Sequence, residues 1–222
     1  MDYYVFLLLT LAITLGAQSY LNSTYNKSEK IRNKKGLTGE EVARRILDKN
    51  GLKNVSVVEV SGTLSDHYDP KGKVVRLSTN IFRGCSIASC SVAAHECGHA
   101  IQDKVGYVFL RIRSAIIPLV NFASMAGYIA IMIGLFAGLL QVFALGIVCE
   151  VVILLFQLIT LPVEFNASSR GLKQLSELNL IEKEENSSCR SMLRAAALTY
   201  VASVATSIVQ IIRLILMVHR RD

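Results

Sequence analysis

At 222 residues, with 52 % hydrophobic composition and a mean hydropathy of +0.42, this chain is too apolar to be a single soluble domain. Its net charge of +7, from 24 Lys and Arg against 17 Asp and Glu, is unevenly placed between long uncharged runs. That pattern suits several spanning helices plus one modest domain. It speaks against a nucleic-acid partner, because basic clusters beside spans serve topology and anionic headgroups.

In chain order, residues 3–21 form an apolar run with no charge and predict a first spanning helix. No basic segment precedes the run and no clear small-residue cleavage site follows, so it is expected to be retained. A polar, basic linker follows at 22–35, with Lys27, Lys30, Arg32, Lys34 and Lys35. A compact cytoplasmic unit is expected over 36–113. In it, Thr38 with Glu41 makes a capping box that opens a helix through Leu47, and Gly51 sits where a C-terminal cap belongs. Residues 55–60 alternate and are β-branched, which predicts a strand. Residues 62–69 read as a loop, 69–72 as a turn, and 73–77 as a second strand. After a short connection at 79–84 comes a helix over about 86–105, ended by Gly106.

Residues 114–138 and 142–163 predict two further spans joined by a tight turn, with Glu150 their only charge. A polar segment, 164–194, precedes a fourth span at 195–218, whose only charge is Arg213. An ionisable group in a bilayer needs a partner, so Glu150 and Arg213 are expected to pair, with Gln157 or Gln210 alongside. Positive-inside logic puts 22–113 and 164–194 in the cytoplasm and the N-terminus outside. The tail His219-Arg220-Arg221 fits that topology less well.

The chemistry concentrates in Ala93-Ala94-His95-Glu96-Cys97-Gly98-His99-Ala100, an H-E-x-x-H motif in an apolar helical run. Histidines four residues apart lie one above the other on one helix face and can meet a single tetrahedral Zn²⁺ at roughly 2.0–2.1 Å. Glu96, on the adjoining face, is placed to take a proton from a water that the metal makes acidic. Gly98 costs the helix about 1 kcal/mol relative to Ala and so calls for a packing reason. Cys85, Cys90 and Cys97 crowd the motif without forming a C-x-x-C pair. They could offer thiolate ligands but read as small packing residues, and the five cysteines of a cytoplasmic-facing protein are expected to stay reduced. Residues 74–77 offer an exposed sheet edge onto which substrate adds as a strand, although an ordinary packed strand fits equally well.

Two histidines leave zinc short of one protein ligand. His67 lies in an upstream loop, and His219 follows the last span, on the wrong side for the topology above. Glu164 follows Leu161-Pro162-Val163 at the end of the third span, where the helical hairpin brings the chain back to the side it left. Glu164 is therefore the favoured third ligand.

Four segments together resemble a known family. They are His95-Glu-Cys-Gly-His99, the Gly36-Leu-Thr-Gly39-Glu-Glu-Val-Ala-Arg44 opening, Asp66-His-Tyr-Asp-Pro70 and Pro162-Val-Glu-Phe-Asn-Ala-Ser168. The chain is similar over nearly its whole length to the YugP-type bacterial membrane-bound neutral zinc metallopeptidase family. That resemblance implies zinc on His95, His99 and Glu164, with Glu96 catalytic. More distantly the chain is similar to the HtpX and CAAX-prenyl proteases, where an aspartate four residues after the ligand glutamate orients a histidine. Here that position is Ser168, which leaves Asn166, Asp66 and Asp69 as other partners for the ligands, and Arg170 as a transition-state cation or a headgroup anchor.

The predicted fold class is a mainly α membrane protein, with about four transmembrane helices and a small α+β cytoplasmic zincin-like unit. The predicted function is zinc metalloendopeptidase activity at the cytoplasmic face of the plasma membrane, with one Zn²⁺ per chain. Its partners would be the bilayer and a peptide or membrane-protein substrate; oligomeric state is not specified. Site-2-type intramembrane cleavage is rejected, because Asp103 and Lys104 closely follow the motif and no Asp-Gly occurs. The alternative is a non-catalytic, zinc-stabilised membrane scaffold or chaperone-like factor.

Overall fold

The computed structural model describes residues 2–62 and 65–219; Arg220, Arg221 and the side chain of His219 lie outside the described residues. The protein is a mainly α membrane protein with one small sheet. Four helices are long and apolar enough to cross a bilayer: α1 (Asp2–Glu29), α5 (Val108–Ala137), α6 (Leu140–Glu177) and α7 (Asn186–His219). Between α1 and α5 come α2 (Gly39–Lys49), β1 (Ser56–Val60), β2 (His67–Asp69), β3 (Val74–Ser78), the short α3 (Thr79–Phe82) and α4 (Ile87–Lys104).

Helices α1 and α6 outrun their apolar stretches. Hydropathy ends at the first charges, but helix propensity does not. The linker expected from residue 22 stays helical through Glu29, has no Gly or Pro in that part, and turns Ser28 and Tyr25 inward. In the same way α6 continues through the polar residues 164–177.

The chain divides into two compact units. One combines residues 19–110 and 162–197 and holds the sheet. Its core is built on α2, whose Val42, Ala43, Ile46 and Leu47 recur on one face and are fully buried with Val55, Val75, Leu77, Ile81 and Ile87. The α2 capping box forms: Thr38 N donates to Glu41 Oε2 (2.8 Å), and Glu41 N donates to Thr38 Oγ1 (3.2 Å). Gly51, at φ +66, takes the left-handed turn that follows this helix.

The sheet order is β1-β3-β2, with β3 parallel to β1 and antiparallel to β2. This corrects two expectations. Residues 74–77 belong to the central strand, so both of their edges are taken and no substrate strand can add there. The expected loop 62–69 contains β2, three residues too short and polar to show a period. Their strand character comes from pairing with β3 and from the turn after Asp69, whose Oδ1 accepts from the N–H groups of Lys71 and Gly72 (both 3.0 Å).

The other unit contains residues 1–18, 111–161 and 198–222. In it α5 and α6 approach at small residues: Gly127 against Cys149, Gly146 against Ile131 and Gly134 against Phe143. Arg213 lies within electrostatic reach of Glu150.

Candidate metal centre

The site begins with a helix contact. A Cβ on Gly98 would collide with the Ala167 carbonyl, and a Cβ on Gly171 with the Ala94 carbonyl. Ala94 and Gly98 on α4 therefore lie backbone to backbone against Ala167 and Gly171 on α6, in the small-xxx-small arrangement that lets helices touch. This is the packing reason that Gly98 called for. The contact also sets the register. His95 and His99 each follow one small residue, Glu164 lies one turn before Ser168, and all three face the same space.

His95 Nε2 is 3.4 Å and His99 Nε2 3.7 Å from Glu164 Oε2, and the three ligand atoms lie within 4.8 Å of one another. A tetrahedron with zinc–ligand bonds of 2.0–2.1 Å has edges of about 3.3 Å, so the group needs little adjustment to hold zinc. The two imidazoles stand nearly perpendicular (84°), with centroids 4.8 Å apart. Glu164 is 2 % exposed. A buried carboxylate beside two imidazoles suits a dication better than solvent. His67 stays outside this group, exposed, with its Nδ1 2.8 Å from the Ser65 carbonyl. Cys90 and Cys97 are buried in the core instead, where burial pushes both thiols up.

The outer nitrogens of the two rings are held by residues that sequence reading undervalued. His95 Nδ1 lies 3.1 Å from Ser168 Oγ, so a hydroxyl holds the outer nitrogen of this ring. His99 Nδ1 lies 3.0 Å from Oε1 of Gln102, which is fully buried. The orientation of this amide is over-determined. Gln102 Nε2 donates to the Val163 carbonyl (2.8 Å) and to Asn166 Oδ1 (3.0 Å), while Arg170 Nε also donates to Asn166 Oδ1 (2.6 Å). A carbonyl only accepts and a guanidinium only donates, so Oε1 is left facing the ring. His99 Nδ1 then donates to Oε1, and Nε2 is the ring nitrogen turned toward Glu164. Asn166 and Arg170 thus act on His99 through Gln102. The missed signal was legible: Gln102 stands three residues after His99, on the same helix face. Gln102→Met, of similar volume, is expected to weaken zinc binding about 10–100-fold, read by chelator competition.

Glu96 is buried beside the ligands. Burial raises its carboxyl to about 7, His95 works against this, and the charges of Glu164 and Asp66 add to it. The Tyr68 backbone N–H of β2 donates to the Glu96 carboxylate. Tyr68 Oη in turn donates to Asp103 Oδ2 (2.7 Å), which also meets Lys73 Nζ (2.6 Å), so β2 is pinned to the last turn of α4. Asp66 and Asp69 bind elsewhere than the ligand rings. Asp66 accepts from Ser78 N (2.7 Å) and Oγ, and burial raises its carboxyl. Asp69 is held at about 2 by the Gly72 N–H and by Arg76, 2.9 Å away.

Residues 3–219 match the family described as "Putative neutral zinc metallopeptidase". The chain is 44 % identical over 215 residues to the "Putative membrane protease YugP" of Bacillus subtilis (strain 168), covering 96 % of each chain. No solved structure matches. With the match running through the spans as well as the histidine helix, this chain belongs to the family described as "Putative neutral zinc metallopeptidase".

Proposed function

We propose that this protein is a membrane-anchored zinc endopeptidase, with one zinc per chain held by His95, His99 and Glu164, working at the cytoplasmic face. The observation that carries the reading is the buried Glu96 carboxylate beside a group of two imidazoles and a carboxylate that could hold one metal ion. A scaffold has no use for such a base. Zinc held by His95, His99 and Glu164 would supply Lewis acidity to a water and to the substrate carbonyl. Glu96 is placed to take the water's proton and pass it to the leaving amine nitrogen. The Tyr68 N–H orients the carboxylate. Gln102 and Ser168 keep the imidazoles in the ligating orientation. The cytoplasmic assignment rests on Lys27 to Lys35, Lys104, Arg111 and Arg113 beside the spans.

The test is hydrolysis of casein or a quenched peptide by the purified, detergent-solubilised protein. Activity lost on chelation and restored by stoichiometric zinc is the expected result. A zinc-loaded protein that cleaves neither these nor a panel of membrane-protein segments would favour the scaffold.

A further inference from the structure

Beside His95 and Glu164, α6 and α7 line an open groove of ≈ 220 Å³. Its apolar side is made by Phe165, Leu172, Leu193 and Ala197, and its rim carries Arg190 and Arg194. The two arginines lie one turn apart on α7, both exposed, a like-charge pairing that destabilises a helix unless an anion answers it. The nearby carboxylates are engaged elsewhere. Glu182 pairs with Lys35 (2.7 Å), Glu184 with Lys34 (3.1 Å) and Glu177 with Lys173 (3.6 Å), while Glu185 accepts from the Lys34 and Glu182 N–H groups (both 2.8 Å). Among the described residues, neither arginine has an ion pair.

We propose that this groove is a binding site for one anionic phospholipid, its phosphate on Arg190 and Arg194 and an acyl chain along the apolar side. Paired guanidiniums suit phosphate oxygens. The apolar side, with Phe165 48 % exposed, would gain nothing from a free phosphate but is covered by a lipid tail. Helix α7 continues from Arg194 into the uncharged stretch 195–212, so the two cations stand where a span meets headgroups. Ser168 also lines the groove, which places the bound lipid one side chain from the His95 ring. The inference rests on membrane placement and is independent of the hydrolytic reading.

The full-length protein would be reconstituted in nanodiscs of phosphatidylcholine doped with phosphatidylglycerol, and retained lipid counted by native mass spectrometry after release. Wild type is expected to keep one phosphatidylglycerol per chain, roughly tenfold preferred over phosphatidylcholine. The double variant Arg190→Gln/Arg194→Gln is expected to lose that preference. Lys49→Gln/Lys53→Gln, which removes equal charge from an exposed region outside the groove, should keep it. Ser169→Phe fills the groove while leaving both cations and is expected to lose the lipid too, which guards against a double variant that fails to fold. No retained phosphatidylglycerol in wild type, equal retention by the groove variants, or competition by inorganic phosphate without any lipid preference would overturn the proposal.

Discussion

Glu96→Gln is expected to lower peptide hydrolysis by about 10²–10⁴-fold while zinc content stays that of wild type. The amide keeps the shape of the side chain but cannot take a proton from water. Glu164→Ala is the complementary case: it removes the 2 % exposed carboxylate of the proposed ligand set and is expected to abolish zinc binding and activity together. If Glu96→Gln retains a tenth of the activity or more, the proton is handled elsewhere and the assignment fails. The same substitution has a signature in the metal-free protein. Burial raises the Glu96 carboxyl from 4.5 to about 7, so the folded state binds this proton more tightly than the unfolded chain does. The residue's favourable contribution is full below pH 4.5 and is lost as pH rises through 7, where the buried carboxylate must ionise. Metal-free Glu96→Gln is therefore expected to be more stable than metal-free wild type at pH 8, by up to about 3 kcal/mol, and no more stable near pH 4. Matched thermal scans at the two pH values check this, and a gain of equal size at both would refute it.

Gly98→Val is expected to abolish stoichiometric zinc binding without touching a ligand. Any Cβ at position 98 meets the Ala167 carbonyl, which is backbone and cannot swing away. Helices α4 and α6 must then separate, carrying Glu164 away from a group whose contacts are only 3.4 and 3.7 Å. Overpacking of this kind costs about 1–3 kcal/mol or more, set against less than about 1 kcal/mol gained by removing a helical glycine. The thermal midpoint is expected to fall by several degrees, and Gly171→Val should do the same from the other helix. Zinc affinity within twofold of wild type in both variants would show that the close approach does not position the ligands.

Much of the local structure was legible because it depends on neighbours in sequence. The Thr38–Glu41 box, the strand at 55–60, the spacing of His95 and His99, and the long uncharged runs each declare themselves within one or two turns of chain. The continuation of α1 and α6 past their apolar stretches was not, because hydropathy reports the solvent around a helix and not where its backbone hydrogen bonds end. β2 was hidden for a related reason: three polar residues carry no period, and only the partner strand β3 makes them a strand.

The sequence by itself determined the chemistry available to this protein: two histidines and a glutamate on one helix, a later glutamate after a pair of spans, and enough apolar chain for four crossings. Only the tertiary structure decided how those groups meet. Fixing Glu164 beside the histidines takes a backbone-to-backbone contact between residues 94–98 and 167–171. Fixing the ring of His99 takes an amide held at once by Val163, Asn166 and the ring. Both are contacts between side chains or carbonyls about seventy residues apart in the chain, or about sixty for the amide. Sequence spacing constrains geometry only along one helix or strand, so placement across two helices is set by steric fit and hydrogen-bond satisfaction in the folded core.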